Sequence, residues 1–109
     1  LEKIEPVQPE PVVIELEANP TTGYTWNAST EGRAVDLASI ETLQKEGTEE
    51  LVGAPVIQRF TFVVADVGTS TVTLEYSRVW ESKEPLKKVV YVISVDENLK
   101  ASIESVTEE

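Results

Sequence analysis

Asn19-Pro20-Thr21-Thr22-Gly23-Tyr24-Thr25-Trp26 is the stretch of this sequence whose residue types and spacing most plainly prepare a contact. Asn-Pro starts a turn, because proline fixes its own φ and drives the preceding residue away from the α region. Gly23 can take a positive φ at little steric cost. Thr21 and Thr22 lie between these signals with no core to pack into. Two outcomes are open: a polar turn that joins two strands, or a loop whose backbone and hydroxyls are held out for a partner. The chemistry open to the second is hydrogen bonding and shape rather than catalysis. The chain has no histidine and, like the methionine count, the cysteine count is zero. That removes the commonest general base, the Ser-His and Cys-His triads, disulfides and the usual zinc sites. Catalysis by carboxylate, lysine or serine needs a pocket, and no spacing suggests one, so the chain does not read as an enzyme. Glu49-Glu50 and Glu108-Glu109 are pairs without a ligand pattern, and no EF-hand spacing is present. No cofactor and no metal are expected.

Further along, two more segments carry contact-type residues. Leu51 and Val52 are apolar in the middle of a loop punctuated by Gly47, Gly53 and Pro55, and read either as a staple onto the core or as apolar surface for a partner. Arg78 and Trp80 bracket Val79 where a strand gives way to Glu81-Ser82-Lys83. Trp80, beside polar residues, is a candidate for exposure, whereas Trp26 alternates with Tyr24 and belongs in a core. Arg78 is either an interface anchor or half of a surface ion pair worth under about 1 kcal/mol. Asn27-Ala28-Ser29 is a formal glycosylation sequon on a strand, where use is not expected.

The elements that must position these residues are strands. Val12, Ile14 and Leu16 alternate with Val13, Glu15 and Glu17; Tyr24, Trp26 and Ala28 open the next strand. Residues 35–44 fit neither period cleanly, and a strand with an irregularity is favoured over a short helix. Phe60, Phe62 and Val64, then Val72, Leu74 and Tyr76, then Val89, Tyr91, Ile93 and Val95 supply three more inward sets. Glu31-Gly32-Arg33 and Asp66-Val67-Gly68 read as turns. The fold expected is all-β, an immunoglobulin-like antiparallel sandwich of about seven strands. Residues 1–10, with Pro6 and Pro9, read as an extended arm with an edge strand near Lys3–Glu5, and residues 97–109 as a mobile tail.

With 109 residues, 40% hydrophobic and 27% charged, the chain is one soluble domain spanning 1–109 with its core at 12–96. A net charge of −11 disfavours nucleic acid and anionic membranes as partners. No apolar run approaches a membrane span, and a monomer is expected. The residues around Leu1 do not read as a signal peptide, and a trimmed secreted form would look the same. The compartment is open, with a secreted or cell-envelope setting favoured.

Three loops stand out: Asn19–Gly23, Thr48–Ile57 and Arg78–Lys83. In a sandwich alternate loops fall at one end. On these residues the sequence resembles the chagasin family, protein inhibitors of papain-like cysteine proteases. The family pattern is Asn-Pro-Thr-Thr-Gly-aromatic-x-Trp in the first loop, a Gly-rich second loop and Arg-Pro-Trp in the third. The first is present in full at Asn19–Trp26. The second reads Leu51-Val52-Gly53-Ala54-Pro55-Val56, with Pro55 and Val56 where the family tends to have glycines. The third reads Arg78-Val79-Trp80, with valine for proline. The resemblance covers roughly residues 12–96. It implies reversible, non-covalent inhibition in which Asn19, Pro20, Thr21, Thr22 and Gly23 enter the protease cleft. By the same carry-over Leu51, Val52, Gly53 and Ala54 lie along the non-primed side, and Arg78 and Trp80 grip the primed side. The departures at Pro55, Val56 and Val79 are expected to shift selectivity and leave inhibition intact. An alternative of another class is an immunoglobulin-like adhesion or protein-binding module that does not inhibit proteases.

Overall fold

The computed structural model describes residues 9–44, 55–78, 80, 81 and 83–109. The expected arm and edge strand at the start, and most of the second loop, lie outside them. Seven strands follow in order: β1 (Val12–Ala18), β2 (Thr25–Gly32), β3 (Val35–Gln44), β4 (Val56–Val64), β5 (Gly68–Ser77), β6 (Lys87–Val95) and β7 (Ala101–Glu108). They form two antiparallel sheets ordered β1-β4-β3 and β2-β5-β6-β7. This is the immunoglobulin-like sandwich that the strand patterning predicts.

Alternation decides what is buried. Phe60, Phe62, Val72, Leu74 and Ile93 are fully buried, and Ile14, Trp26, Tyr76, Val89 and Val95 complete the core between the sheets. Each large side chain contributes about 1.5–3 kcal/mol by leaving water. On the outer face, Arg59 of β4 stands in register between Glu15 of β1 and Glu41 of β3, at 3.2 and 4.0 Å. Exposed pairs of this kind add under about 1 kcal/mol each.

The ambiguous segment 35–44 is a strand, and its irregularity has a simple form. The register against β4 shifts between Leu37 and Ser39. A bulge of one residue keeps Ile40 on the same face as Val35 and Leu37, opposite Phe60, although only Val35 is buried and Leu37 and Ile40 stay 37% and 53% exposed. The apolar spacing therefore matches neither a pure strand nor a helix.

The chain end departs from expectation. Residues 101–108 are a strand rather than a mobile tail, paired with β6 from Val95↔Ala101 to Val89↔Glu108. The Asp96 carboxylate accepts the backbone N–H groups of Asn98 and Lys100 at 2.9 and 3.0 Å, closing the turn that precedes it. Main-chain pairing makes this strand, so it needs few apolar residues. Ile103 and Val106 lie opposite Ile93 and Tyr91 yet stay 44% and 53% exposed, because three strands face four. Burial first, and then the Glu108 carboxylate, push the Tyr91 phenol above its ordinary value of 10.0. An unfolded chain releases that proton first, so stability is expected to fall as pH climbs from about 10 through the raised folded value. Denaturation measured between about pH 9 and 12 checks this, and Tyr91→Phe should flatten the decline.

At the end remote from the three loops, the chain crosses between sheets through Arg33-Ala34. Ser70, 1% exposed, accepts the Ala34 and Val35 N–H groups at 2.8 and 3.2 Å. Ser70→Ala leaves both donors buried without this acceptor. A loss of about 1–3 kcal/mol is expected, read as a fall in Tm of about 4–8 °C for each kcal/mol.

Candidate functional site

Strand register sets where the loops meet. Ala18 and Gln44 both pair with Val56, Thr25 pairs with Ser77, and Tyr76 pairs with Lys87. Two bonds tie the sheets together at this end: Trp26 N–H donates to Gln58 Oε1 at 2.9 Å, and the Trp26 indole donates to the Glu17 carbonyl at 3.0 Å. The β1–β2 and β5–β6 loops therefore leave the same end of the sandwich, and so do the strand ends that flank the second loop. Leu51, Val52, Gly53 and Ala54 fall outside the described residues.

The first loop is locked by its own side chains. Asn19 Oδ1 accepts from Thr21 N–H at 3.2 Å and from the Thr21 hydroxyl at 2.6 Å. The Thr22 hydroxyl donates to the Asn19 carbonyl at 2.7 Å and accepts from Tyr24 N–H at 3.4 Å. Pro20–Thr22 is thereby one 3-10 turn. Thr21 and Thr22 are exposed, and both hydroxyl protons point inward, so toward a partner these side chains offer oxygen lone pairs. Asn19 N–H donates to the Tyr76 hydroxyl at 2.9 Å, which fixes the loop to the core strand β5.

Gly23 takes φ 82°, in the left-handed region, as the turn requires. A β-carbon there would run into Cη2 of Trp80 and lie 2.7 Å from Cζ2. The Trp80 ring thus leans on the backbone of the first loop, though the residue is 67% exposed. The two predicted contact elements form one continuous edge. Trp26, by contrast, is 7% exposed and sits inside, as its alternation predicts.

Arg78 is the residue that sequence alone left between two roles. Its side chain is only one-third exposed and is engaged three ways. Nε donates to the Thr22 carbonyl at 2.8 Å, Nη1 pairs with Glu81 Oε1 at 3.0 Å, and Cζ sits 4.4 Å from the centre of the Tyr24 ring. The Tyr24 ring stacks on Tyr76 at 5.3 Å. The ion pair matches the surface-carboxylate alternative; the bond to Thr22 was not foreseen. Glu81 and Tyr76 are supporting residues outside the motif, and Tyr24 lies inside it, where its alternation marks only a strand residue. Glu81 lies three residues after Arg78, the one signal pointing to it.

Between Tyr24 and the third loop is an open hollow of about 220 Å³, lined also by Lys83, Glu84 and Leu86. Leu86 is 60% exposed beside it. Among the described residues no group of three or more acidic side chains could hold a metal, and no helix is long and apolar enough to cross a membrane.

Comparison with known proteins bears on the family and the fold. Amoebiasin-2 of Entamoeba histolytica is 34% identical over 85 residues, covering 77% of this chain and 69% of that protein. Chagasin of Trypanosoma cruzi is 32% identical over 74 residues, covering 65% and 67%. Among solved structures, the cysteine protease inhibitor EhICP2 from Entamoeba histolytica superposes with TM-score 0.71 at 33% identity, over 79% of this chain and 78% of that one. Amebosin shares the fold, with TM-score 0.53 at 21% identity, over 91% and 77%. The model of the chagasin family of peptidase inhibitors, I42, matches residues 8–95, and the chain belongs to that family.

Proposed function

We propose that this chain inhibits papain-like cysteine proteases reversibly and as a monomer, by placing the loop end of the sandwich in the active-site cleft, and that it has no catalytic activity of its own. The observation that carries this is the joint edge of Thr21–Gly23 and Trp80, locked before any partner arrives. A loop that is already ordered gives up little conformational entropy on binding. Its turned backbone fills a cleft while keeping peptide carbonyls out of attack geometry. Trp80 has the size and exposure of an interface anchor. Leu51, Val52, Gly53 and Ala54 would add the non-primed contact.

Titration of papain and a cathepsin-L-like enzyme against a fluorogenic substrate tests this. Nanomolar-range inhibition is expected, with full activity regained on dilution and the inhibitor's mass unchanged. Absence of inhibition at micromolar concentration across several papain-like enzymes would overturn it and leave the adhesion-module alternative.

A further inference from the structure

We propose that Arg78 is a positioning residue: it clamps the first loop to the third, and acts on a protease through Thr22 and Gly23 rather than by its own contact. This rests on the inhibitory role proposed above. The guanidinium is used on two edges and one face. Its Nε edge holds the Thr22 carbonyl, its Nη1 holds Glu81, and its face covers Tyr24. The loop it holds is separated from it by 56 residues of sequence. Tyr24 in turn stacks on Tyr76, and the Tyr76 hydroxyl takes the Asn19 N–H at the other end of the same loop. A closed circuit results: Asn19 and Thr22 mark the two ends of the turn, and each is tied to an aromatic-and-arginine column rising from the core.

The third loop is held by the same residue. Glu81 N–H donates to the Arg78 carbonyl at 3.1 Å while its carboxylate takes the guanidinium, so the backbone carrying Trp80 folds around Arg78. One residue therefore sets the spacing between the threonine turn and the tryptophan. Lysine cannot replace it. An ammonium has three donors but on one nitrogen, so it lacks both the spaced fork that reaches this carbonyl and this carboxylate together and the flat face that lies on Tyr24. An anchor that touches the enzyme directly would be expected to keep its donors directed outward; here at least two of them are committed within the molecule.

The test uses Arg78→Lys, Arg78→Ala and Glu81→Gln in the full chain, with a thermal melt to establish folding. Two readouts are taken: the inhibition constant against papain, and backbone amide exchange of Thr22, Gly23 and Tyr24 in the free inhibitor. The clamp predicts that Arg78→Lys fails to rescue. Inhibition weakens at least tenfold in both Arg78 variants, exchange at the three amides accelerates about tenfold, and Glu81→Gln moves both readouts the same way by less. Weakened inhibition with unchanged exchange would make Arg78 a direct contact and overturn the proposal. Arg78→Lys that matches the parent in both readouts would overturn it as well. Amide exchange needs no protease, so the clamp stands or falls even where the parent protein inhibits nothing, the outcome that would sink the inhibitory role instead.

Discussion

Gly23→Ala is expected to weaken inhibition by about a hundredfold, the largest effect of any single substitution at this edge. Two costs coincide. An alanine held at φ 82° carries a left-handed penalty of about 1–2 kcal/mol. Its methyl also claims the space occupied by the Trp80 ring tip, so either the tryptophan swings away or the turn opens. Losing a tryptophan anchor from its bound position costs about 2 kcal/mol or more, and each 1.4 kcal/mol is about tenfold in affinity. Inhibition constants for Gly23→Ala, Trp80→Ala and the double variant separate the contributions. The double variant should be weaker than Trp80→Ala by about the backbone penalty alone, and clearly better than the product of the two single effects. Strict multiplicativity would mean that Gly23 and Trp80 act independently, contrary to their contact.

Trp80→Ala is expected to cost about tenfold to hundredfold in inhibition while leaving stability within about 0.5 kcal/mol. The split follows from exposure: at 67% exposed, the ring contributes little to the folded core, and its large apolar surface gains by leaving water only when a partner covers it. Trp80→Phe should recover part of the loss, since a flat ring can still lean on Gly23. Dissociation should accelerate more than association slows, as is usual for a truncated anchor. An inhibition constant equal to that of the parent would reduce Trp80 to a brace for the first loop.

Much of the fold was legible because its signals are local. Asn19–Gly23 announces a turn by residue type, and Val72–Leu74–Tyr76 announces a strand by period. Even the disorderly spacing of Val35, Leu37 and Ile40 held information, since only an extra residue reconciles it with one face of a sheet. β7 was illegible for the opposite reason. Its pairing with β6 runs through the main chain, and its two large apolar residues, Ile103 and Val106, stay half-exposed, so no alternation stood out from the glutamates. Within the site, the motif named Thr21, Thr22, Arg78 and Trp80 but not the bond that joins the first loop to the third. The bond from Arg78 to the Thr22 carbonyl joins a side chain to a backbone atom, and any residue type at position 22 would supply that oxygen. Patterns of residue type are blind to such a bond. Glu81 was visible only as one more carboxylate in an acidic chain.

The direction of β7 has a practical consequence. It leaves the Asp96–Lys100 turn beside Val95 and returns to Val89, where Glu109 N–H donates to the Lys88 carbonyl at 2.8 Å. Any fluorophore, resin or fused carrier joined after Glu109 would emerge at the loop end of the sandwich, where it would crowd an enzyme bound at the proposed edge. Immobilisation through a cysteine introduced at Asn98, exposed at the far tip and in a chain with no native thiol, would hold the molecule upright with its loops facing the solution.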